Sequence, residues 1–297
     1  MKPGDLAAYI FLALAWGLSF LLLLHVVSVF GWIGAVTLRC LIASLSLVLI
    51  ARLTGRKLQF SAGWKAFAIV GATTVAGQLI GLSYATPLIG TAMAAILVAT
   101  IPLFSMLISQ LWGLERMTGQ GLVGLILGFG GIILLVGFPA VPVTISFVLG
   151  CAACIAACFC AAYGSNYASR HLKGTGSWEI TIGAFLAGGL MTLPLLFAVP
   201  VPVTPSLADY GYLVLLAVMM SSLTYITYFR LVSNIGATKA ISVEFVVTIV
   251  AVLVGAFVLN EPLTALQLLG AVVITAGCVL VLGLIPGRKL PPAASGA

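Results

Sequence analysis

The sequence predicts an all-α integral membrane protein whose ten transmembrane helices form two inverted five-helix repeats. Three observations lead there. Of 297 residues, 62% are hydrophobic and only 6% charged, against roughly 25% charged residues in a soluble domain, so the chain lacks the polar side chains to clothe a water-facing surface. Its apolar residues fall into runs of about 20, the length that crosses a hydrocarbon core as a helix. Finally, residues 236–283, shifted back by 146 positions, lie on residues 90–137 without a gap, and Gly90/Gly236, Ala94/Ala240, Leu107/Leu253, Glu115/Glu261, Thr118/Thr264, Leu122/Leu268, Gly124/Gly270, Gly131/Gly277, Leu134/Leu280 and Gly137/Gly283 coincide. The matches keep one order, an apolar span, a short turn with Glu and Thr, then a Gly-punctuated apolar span, and such a fixed-period repeat governs the whole reading of a fold.

Taken in order, the runs between polar or Pro/Gly breaks cover 6–25, 32–51, 64–85, 90–112, 119–138, 145–168, 178–199, 210–231, 238–259 and 265–285. The first run is long enough to span and has no small-residue cleavage site, so it reads as a helix rather than a leader. Residues 1–138 then form the first repeat and 139–285 the second, and 286–297, with its Pro pair and small residues, reads as a disordered cytoplasmic tail.

Lys and Arg set the orientation. With ten spans, one side collects Lys2, Arg52, Arg56, Lys57, Lys65, Arg116, Arg170, Lys173, Arg230, Lys239, Arg288 and Lys289, and the opposite loops carry only His25, Asp209 and Glu261. Both termini are therefore expected in the cytoplasm, across a bacterial inner membrane. An odd number of spans per repeat makes the second half enter from the other side. The resulting pseudo-two-fold axis lies in the membrane plane, which suits alternating access.

The net charge of +7 comes from residues at the ends of apolar spans and does not point to nucleic acid. Cys40, Cys151, Cys154, Cys158, Cys160 and Cys278 all lie within apolar spans without His or carboxylate neighbours. That pattern fits helix packing rather than a metal site. No cofactor, metal or obligate protein partner is implied. The partners expected are a small-molecule substrate, the lipid bilayer and, as an energy source, a proton gradient, because no ATP-binding motif is present. An intramembrane enzyme is disfavoured, since no H-E-x-x-H, no G-x-S-G with a partner His and no intramembrane Asp pair occurs.

Against this background the chain resembles the drug/metabolite transporter superfamily, in its ten-helix EamA type. The likeness rests on Trp16-Gly17-Leu18-Ser19-Phe20, Arg39, Ile101-Pro102, Glu115-Arg116-Met117-Thr118 with Gly124, and their second version Glu261-Pro262-Leu263-Thr264, Gln267, Gly270 and Gly277. Leu24 and His25 stand where a Lys is frequent in the family, and Thr248 stands where the second copy of Pro102 would be. The resemblance implies export of amino acids, other small metabolites or cationic drugs, and the general likeness extends to the YddG-like amino-acid-exporting branch. A facilitative uniporter or channel stays open beside it.

Ionisable groups inside a membrane are costly and default to functional candidates. Arg39 lies about 10 Å from the outer end of its span and Glu244 about 9 Å from the inner end of its own. Arg39 serves either as a grip for a substrate carboxylate or as a cap on helix carbonyls. Glu244 serves as a site for an ammonium or a coupling proton, or as the partner of Lys239 or Arg230. The two depths leave about 10 Å along the membrane normal, which places Arg39 on the outer path and Glu244 on the inner one. Gln78, Tyr84, Ser222 and Tyr225, on counterpart spans of the two repeats, are the candidates for holding substrate centrally, with Trp16 supplying apolar surface. Gly77, Gly81 and Pro102 are candidate hinges.

The topology is open to test by cysteine accessibility. Single cysteines introduced at Gly174 and Asp209 are expected to react with a membrane-impermeant reagent from opposite sides, and same-side labelling sinks the inverted arrangement.

Overall fold

The structure, a computed structural model, describes residues 3–60, 63–113, 119–137, 142–199, 201–235 and 240–281. The expected tail, Glu115 with its turn, and Lys239 lie outside the described residues. Helix α1 is Pro3–Leu53; α2 is Trp64–Ile89 and α3 Thr91–Leu111. Then follow α4 Gly119–Gly137, α5 Ile145–His171 and α6 Ser177–Phe197. Helices α7 Leu207–Ile235, α8 Val243–Phe257 and α9 Ala265–Val281 complete the described chain. Among the described residues, six helices are long and apolar enough to cross a membrane, and α4, α8 and α9 contribute shorter apolar stretches.

The first two expected spans are one helical run with a single break at Gly31, whose φ of 71° and ψ of 164° are non-helical. Polarity alone places the end of the first span near His25, but residues 26–30 are apolar save Ser28 and stay helical, so the turn falls on Gly31, which tolerates a positive φ. The chain reverses there. Along α7, the first arm of α1 runs antiparallel, with His25 at Asp209, Trp16 at Tyr225 and Asp5 at Asn234. The second arm runs parallel, with Arg39 at Ser221 and Ser46 at Ser222.

The helix ends are built by local chemistry. Ser206 and Asp209 form a reciprocal capping box at the start of α7, and Thr264 and Gln267 do the same for α9 at 2.9 and 3.1 Å, satisfying the orphan N–H groups of a first turn. At the start of α3 the cap comes from the other repeat. The Glu261 carboxylate accepts from Thr91 N–H and Ala92 N–H, both at 2.7 Å. Gly90 takes φ 85° there, and a side chain on it would press on that carboxylate.

Helices α4 and α9 show how the repeats meet. A Cβ on Gly277 would sit 2.6 Å from Gly124 O and Gly128 N, and one on Gly131 would sit 2.9 Å from Gly270 O. Shifting by 146 turns Gly124 into Gly270 and Gly131 into Gly277, so the contact 124–277 becomes the contact 270–131. A two-fold relation requires this reciprocity. The contacts also cross antiparallel, since the lower number on one helix meets the higher on the other, and the axis therefore lies across the helices. Glycines allow this close approach.

Two further departures from α-geometry are repeat-related: the π-helical segments Gly71–Gly77 of α2 and Val218–Leu223 of α7. Shifted by 146, the first falls on 217–223. Gly77, a candidate hinge, closes the α2 segment beside Cys160. Gly81 lies against the backbone of Ala153 and the Cβ of Ala157, a packing position. Pro102 follows a break at Ala99–Thr100 and starts the second half of α3.

Gly277→Ala is expected to lower the unfolding temperature in detergent, since the new methyl meets backbone that cannot yield, an overpacking cost of about 1–3 kcal/mol. Gly130→Ala, with nothing within 4 Å, is expected to leave it unchanged or raise it through helix propensity.

Candidate functional site

At the centre of the helices Trp16, Ser19 and Phe20 of the first arm of α1, Arg39 of the second, Thr74 and Gln78 of α2, Ser165 of α5, Tyr225 and Tyr228 of α7 and Glu244 of α8 line one cavity. Several of its walls are pairs under the same 146-residue shift: Ser19/Ser165, Leu79/Tyr225, Leu82/Tyr228, Val98/Glu244 and Ile101/Val247. The cavity therefore straddles the pseudo-two-fold axis. Its volume is about 60 Å³, room for a few waters and well below the roughly 300 Å³ of a small-molecule pocket. The helices must part before it can hold a metabolite.

Its aromatic wall is a connected cluster. The Trp16 ring lies 5.6 Å from Tyr225 and 5.4 Å from Tyr228, and Phe185 meets Tyr225 edge-on at 4.9 Å. The Tyr228 hydroxyl bonds Ser165 Oγ at 3.3 Å, and the Tyr225 hydroxyl reaches Gln78 Oε1 at a long 3.5 Å. Both charged residues are buried. Arg39 donates from Nε to Ser221 Oγ at 2.5 Å and from Nη2 to the Met220 carbonyl at 3.3 Å. The Glu244 carboxylate accepts no hydrogen bond and joins no ion pair among the described residues. It makes no pair with Arg230, one of the two structural partners foreseen for it. Thr74 Oγ1 is buried with no hydrogen-bond partner in the described structure.

The sequence model of the EamA-like transporter family matches this chain twice, over residues 2–137 and 148–283. The chain belongs to the EamA-like transporter family. The two matches are themselves offset by 146 (148 − 2 and 283 − 137), the period of the glycine contacts and of the cavity walls. This EamA-like protein is 24% identical over 266 residues to an "Uncharacterized transporter" of Archaeoglobus fulgidus, covering 90% of this chain and 94% of that one. It is 27% identical over 288 residues to the "Uncharacterized transporter YvbV" of Bacillus subtilis, covering 91% and 89%. A third relative, the "Uncharacterized inner membrane transporter YedA" of Escherichia coli, is 30% identical over 198 residues, 64% of this chain and 61% of YedA. A crystal structure at 16% identity superposes with a TM-score of 0.70 over 96% of this chain and 98% of its own, which speaks for the fold alone. The protein is a multi-pass membrane transporter and not an enzyme.

Within this EamA-like transporter, Trp16, Gln78, Tyr225, Arg39 and Glu244 come together at one cavity. Two of the residues chosen from sequence do not. Ser222 is buried against the second arm of α1, donating to the Ala43 carbonyl at 3.0 Å and sharing a bond with Ser46 Oγ at 3.1 Å. Tyr84 lines a separate cavity of about 310 Å³ with Trp32, Ser83 and Pro87, its ring 5.4 Å from Trp32. Conversely Thr74 and Tyr228 line the centre without having been chosen. Helical spacing carried that signal: Thr74 is four residues before Gln78 and Tyr228 three after Tyr225, so each pair shares a face.

Gly164 presses on the Thr73 and Thr74 hydroxyls, with no room for a Cβ. Gly164→Ala is expected to displace Thr74 and slow transport in liposomes at least several-fold. A control, Gly211→Ala, where nothing lies within 4 Å, is expected to transport normally.

Proposed function

We propose that this transporter exports amino acids with neutral, chiefly aromatic, side chains across a bacterial cytoplasmic membrane, with both termini inside, by alternating access between its two inverted repeats. The observation that carries this reading is the pairing of opposite charges with rings at one cavity: Arg39 and Glu244 both line it, unpaired with each other, and Trp16, Tyr225 and Tyr228 contribute aromatic rings to its walls. A zwitterion entering a dry cavity needs both its charged ends met or it bears the cost of unpaired buried ions. Here a guanidinium stands ready for the carboxylate and a carboxylate for the ammonium. The about 10 Å of depth estimated between them exceeds the reach of one α-amino acid in a rigid cavity. A bridging water supplies the remainder.

In this proposal Gln78 and Tyr225 hold the substrate's polar end and Trp16 packs on its side chain. The π segment ending at Gly77 and the break before Pro102 let α2 and α3 bend while one side opens. A proton gradient drives the cycle, with Glu244 as the group that takes the proton or the ammonium in turn. A second reading, export of monovalent organic cations, is favoured by Glu244, which joins no ion pair among the described residues and lies beside aromatic faces, a combination that binds substituted ammonium groups.

Purified protein in liposomes, presented with an amino-acid panel, cationic drugs and sugars, separates the two. Transport of phenylalanine or another neutral amino acid that collapses with an uncoupler is the expected result, and transport confined to carboxylate-free cations favours the second reading. Gln78→Ala and Tyr225→Phe are each expected to raise the half-saturating concentration about two- to ten-fold, the worth of one neutral hydrogen bond. Unaltered saturation in both variants removes them from the site.

A further inference from the structure

Arg39 faces the central cavity, yet both hydrogen bonds of its guanidinium go into the wall behind it. Their acceptors, Ser221 Oγ and the Met220 carbonyl, lie in the π-helical segment Val218–Leu223 of α7. Ser222, next in the same segment, bonds the Ala43 carbonyl and Ser46 Oγ. Arg39, Ala43 and Ser46 are spaced i, i+4, i+7 on one face of the second arm of α1. One helix face thus ties the π segment at three points, and one of the ties is a cation at the cavity wall.

Three features make that tie exchangeable. A guanidinium has five N–H donors, and Arg39 uses two of them, each on a neutral acceptor. A carboxylate is a stronger acceptor, since charge-assisted bonds are roughly twice as strong as neutral ones and the guanidinium fork fits a carboxylate with two parallel bonds. The groups left behind are not orphaned: Ser221 Oγ keeps its bond to the Leu216 carbonyl at 3.2 Å, and the Met220 carbonyl keeps Thr224 Oγ1 at 2.8 Å. Exchange therefore strengthens the guanidinium's bonding without burying an unpaired polar atom.

We propose that Arg39 is a substrate-operated tie: in the empty cavity it holds the π segment of α7 against α1, and an arriving substrate carboxylate draws it off and frees that segment to move. The inference rests on the proposed amino-acid substrate and deepens it, because it gives the carboxylate a second role, that of trigger. The repeat-related π segment of α2 has no such control, for the position equivalent to Arg39 is Phe185. One of two matched bends answers to substrate, and the other follows.

The test compares phenylalanine with phenethylamine, the same molecule without its carboxylate, in liposomes holding the full-length protein. The unaltered protein is expected to move phenethylamine at least ten-fold more slowly than phenylalanine. Arg39→Gln removes both the tie and the carboxylate's partner, so it is expected to bring the two rates together, phenylalanine falling and phenethylamine rising, whereas a purely structural arginine slows both alike, which overturns the tie. Ser221→Ala removes an acceptor of Arg39 and keeps the charge. It is expected to lower the half-saturating concentration of phenylalanine about two- to ten-fold while turnover falls; a rise in half-saturation overturns the tie. Ser221→Ala also decides the matter alone should Arg39→Gln fail to elute as a folded monodisperse species. Transport of neither compound by the unaltered protein defeats the proposed substrate and the tie with it. Transport of phenylalanine that both variants leave unchanged defeats the tie only.

Discussion

In hydrocarbon there is no water to accept or donate a hydrogen bond, so every backbone N–H and C=O must find its partner inside the protein. That constraint accounts for this structure more fully than any packing argument. Regular helix satisfies it by itself, and the chain is helix almost throughout its described length. The informative places are the departures, and three of them are matched by a supplied group. At Gly90, where α2 ends and α3 begins, two free N–H groups of α3 are met by both oxygens of Glu261. At the break before Pro102, Thr100 turns its hydroxyl onto the Leu97 carbonyl at 2.6 Å. In the π segment of α7, Ser221 and Ser222 bond carbonyls five residues back, at 3.2 and 3.1 Å. Arg39 and Thr224 share the Met220 carbonyl. Glu261, Thr100, Ser221, Ser222 and Thr224 thus serve the places where the helix is interrupted.

The same constraint decided what could be read from the sequence. The duplication was legible because glycine contacts and Glu-turn-Thr caps demand particular residues at particular places, and Gly124, Gly131, Gly270 and Gly277 meet across the axis as their spacing suggests. Trp16 was legible as a cavity residue, and Arg39 and Glu244 as functional candidates, because so few polar or bulky groups occur mid-span; their depths pointed to the outer and inner paths, whereas both line the central cavity. Faces were harder. Tyr84 is six residues from Gln78, a rotation of about 600° at 3.6 residues per turn, so it looks away from the centre toward Trp32. Ser222 belongs with Tyr225 on an ideal helix, but the π segment inserts extra residue length between them and turns Ser222 to the α1 side. No periodicity in the sequence announces a π turn, and its effect on register is invisible until neighbouring helices are in place. The turn at Gly31 was displaced for a related reason: His25 looks like a boundary by polarity, but it pairs with Asp209 at 2.8 Å from within a helix that runs on to Phe30.

A duplicated scaffold and a singular chemistry are combined at the cavity. The backbone devices come in pairs: the two π segments, the reciprocal glycine contacts, and walls such as Ser19/Ser165 and Ile101/Val247. A motion available to one repeat is then available to the other in mirror order, as alternating access needs. The polar and aromatic side chains of the cavity are not paired. Where the second repeat has Tyr225, Tyr228 and Glu244, the first has Leu79, Leu82 and Val98, and where the first has Arg39 the second has Phe185. A symmetric lining would place two like charges near the axis, repelling each other in a medium that screens poorly, and would offer a zwitterion the same group at both ends. Replacing one member of each pair by an apolar residue removes that repulsion and gives the cavity a direction. In the proposed alternating-access cycle, the exchange of inward and outward forms would act on a polar site that cannot itself be exchanged, so a bound molecule would keep one orientation while the helices around it change places.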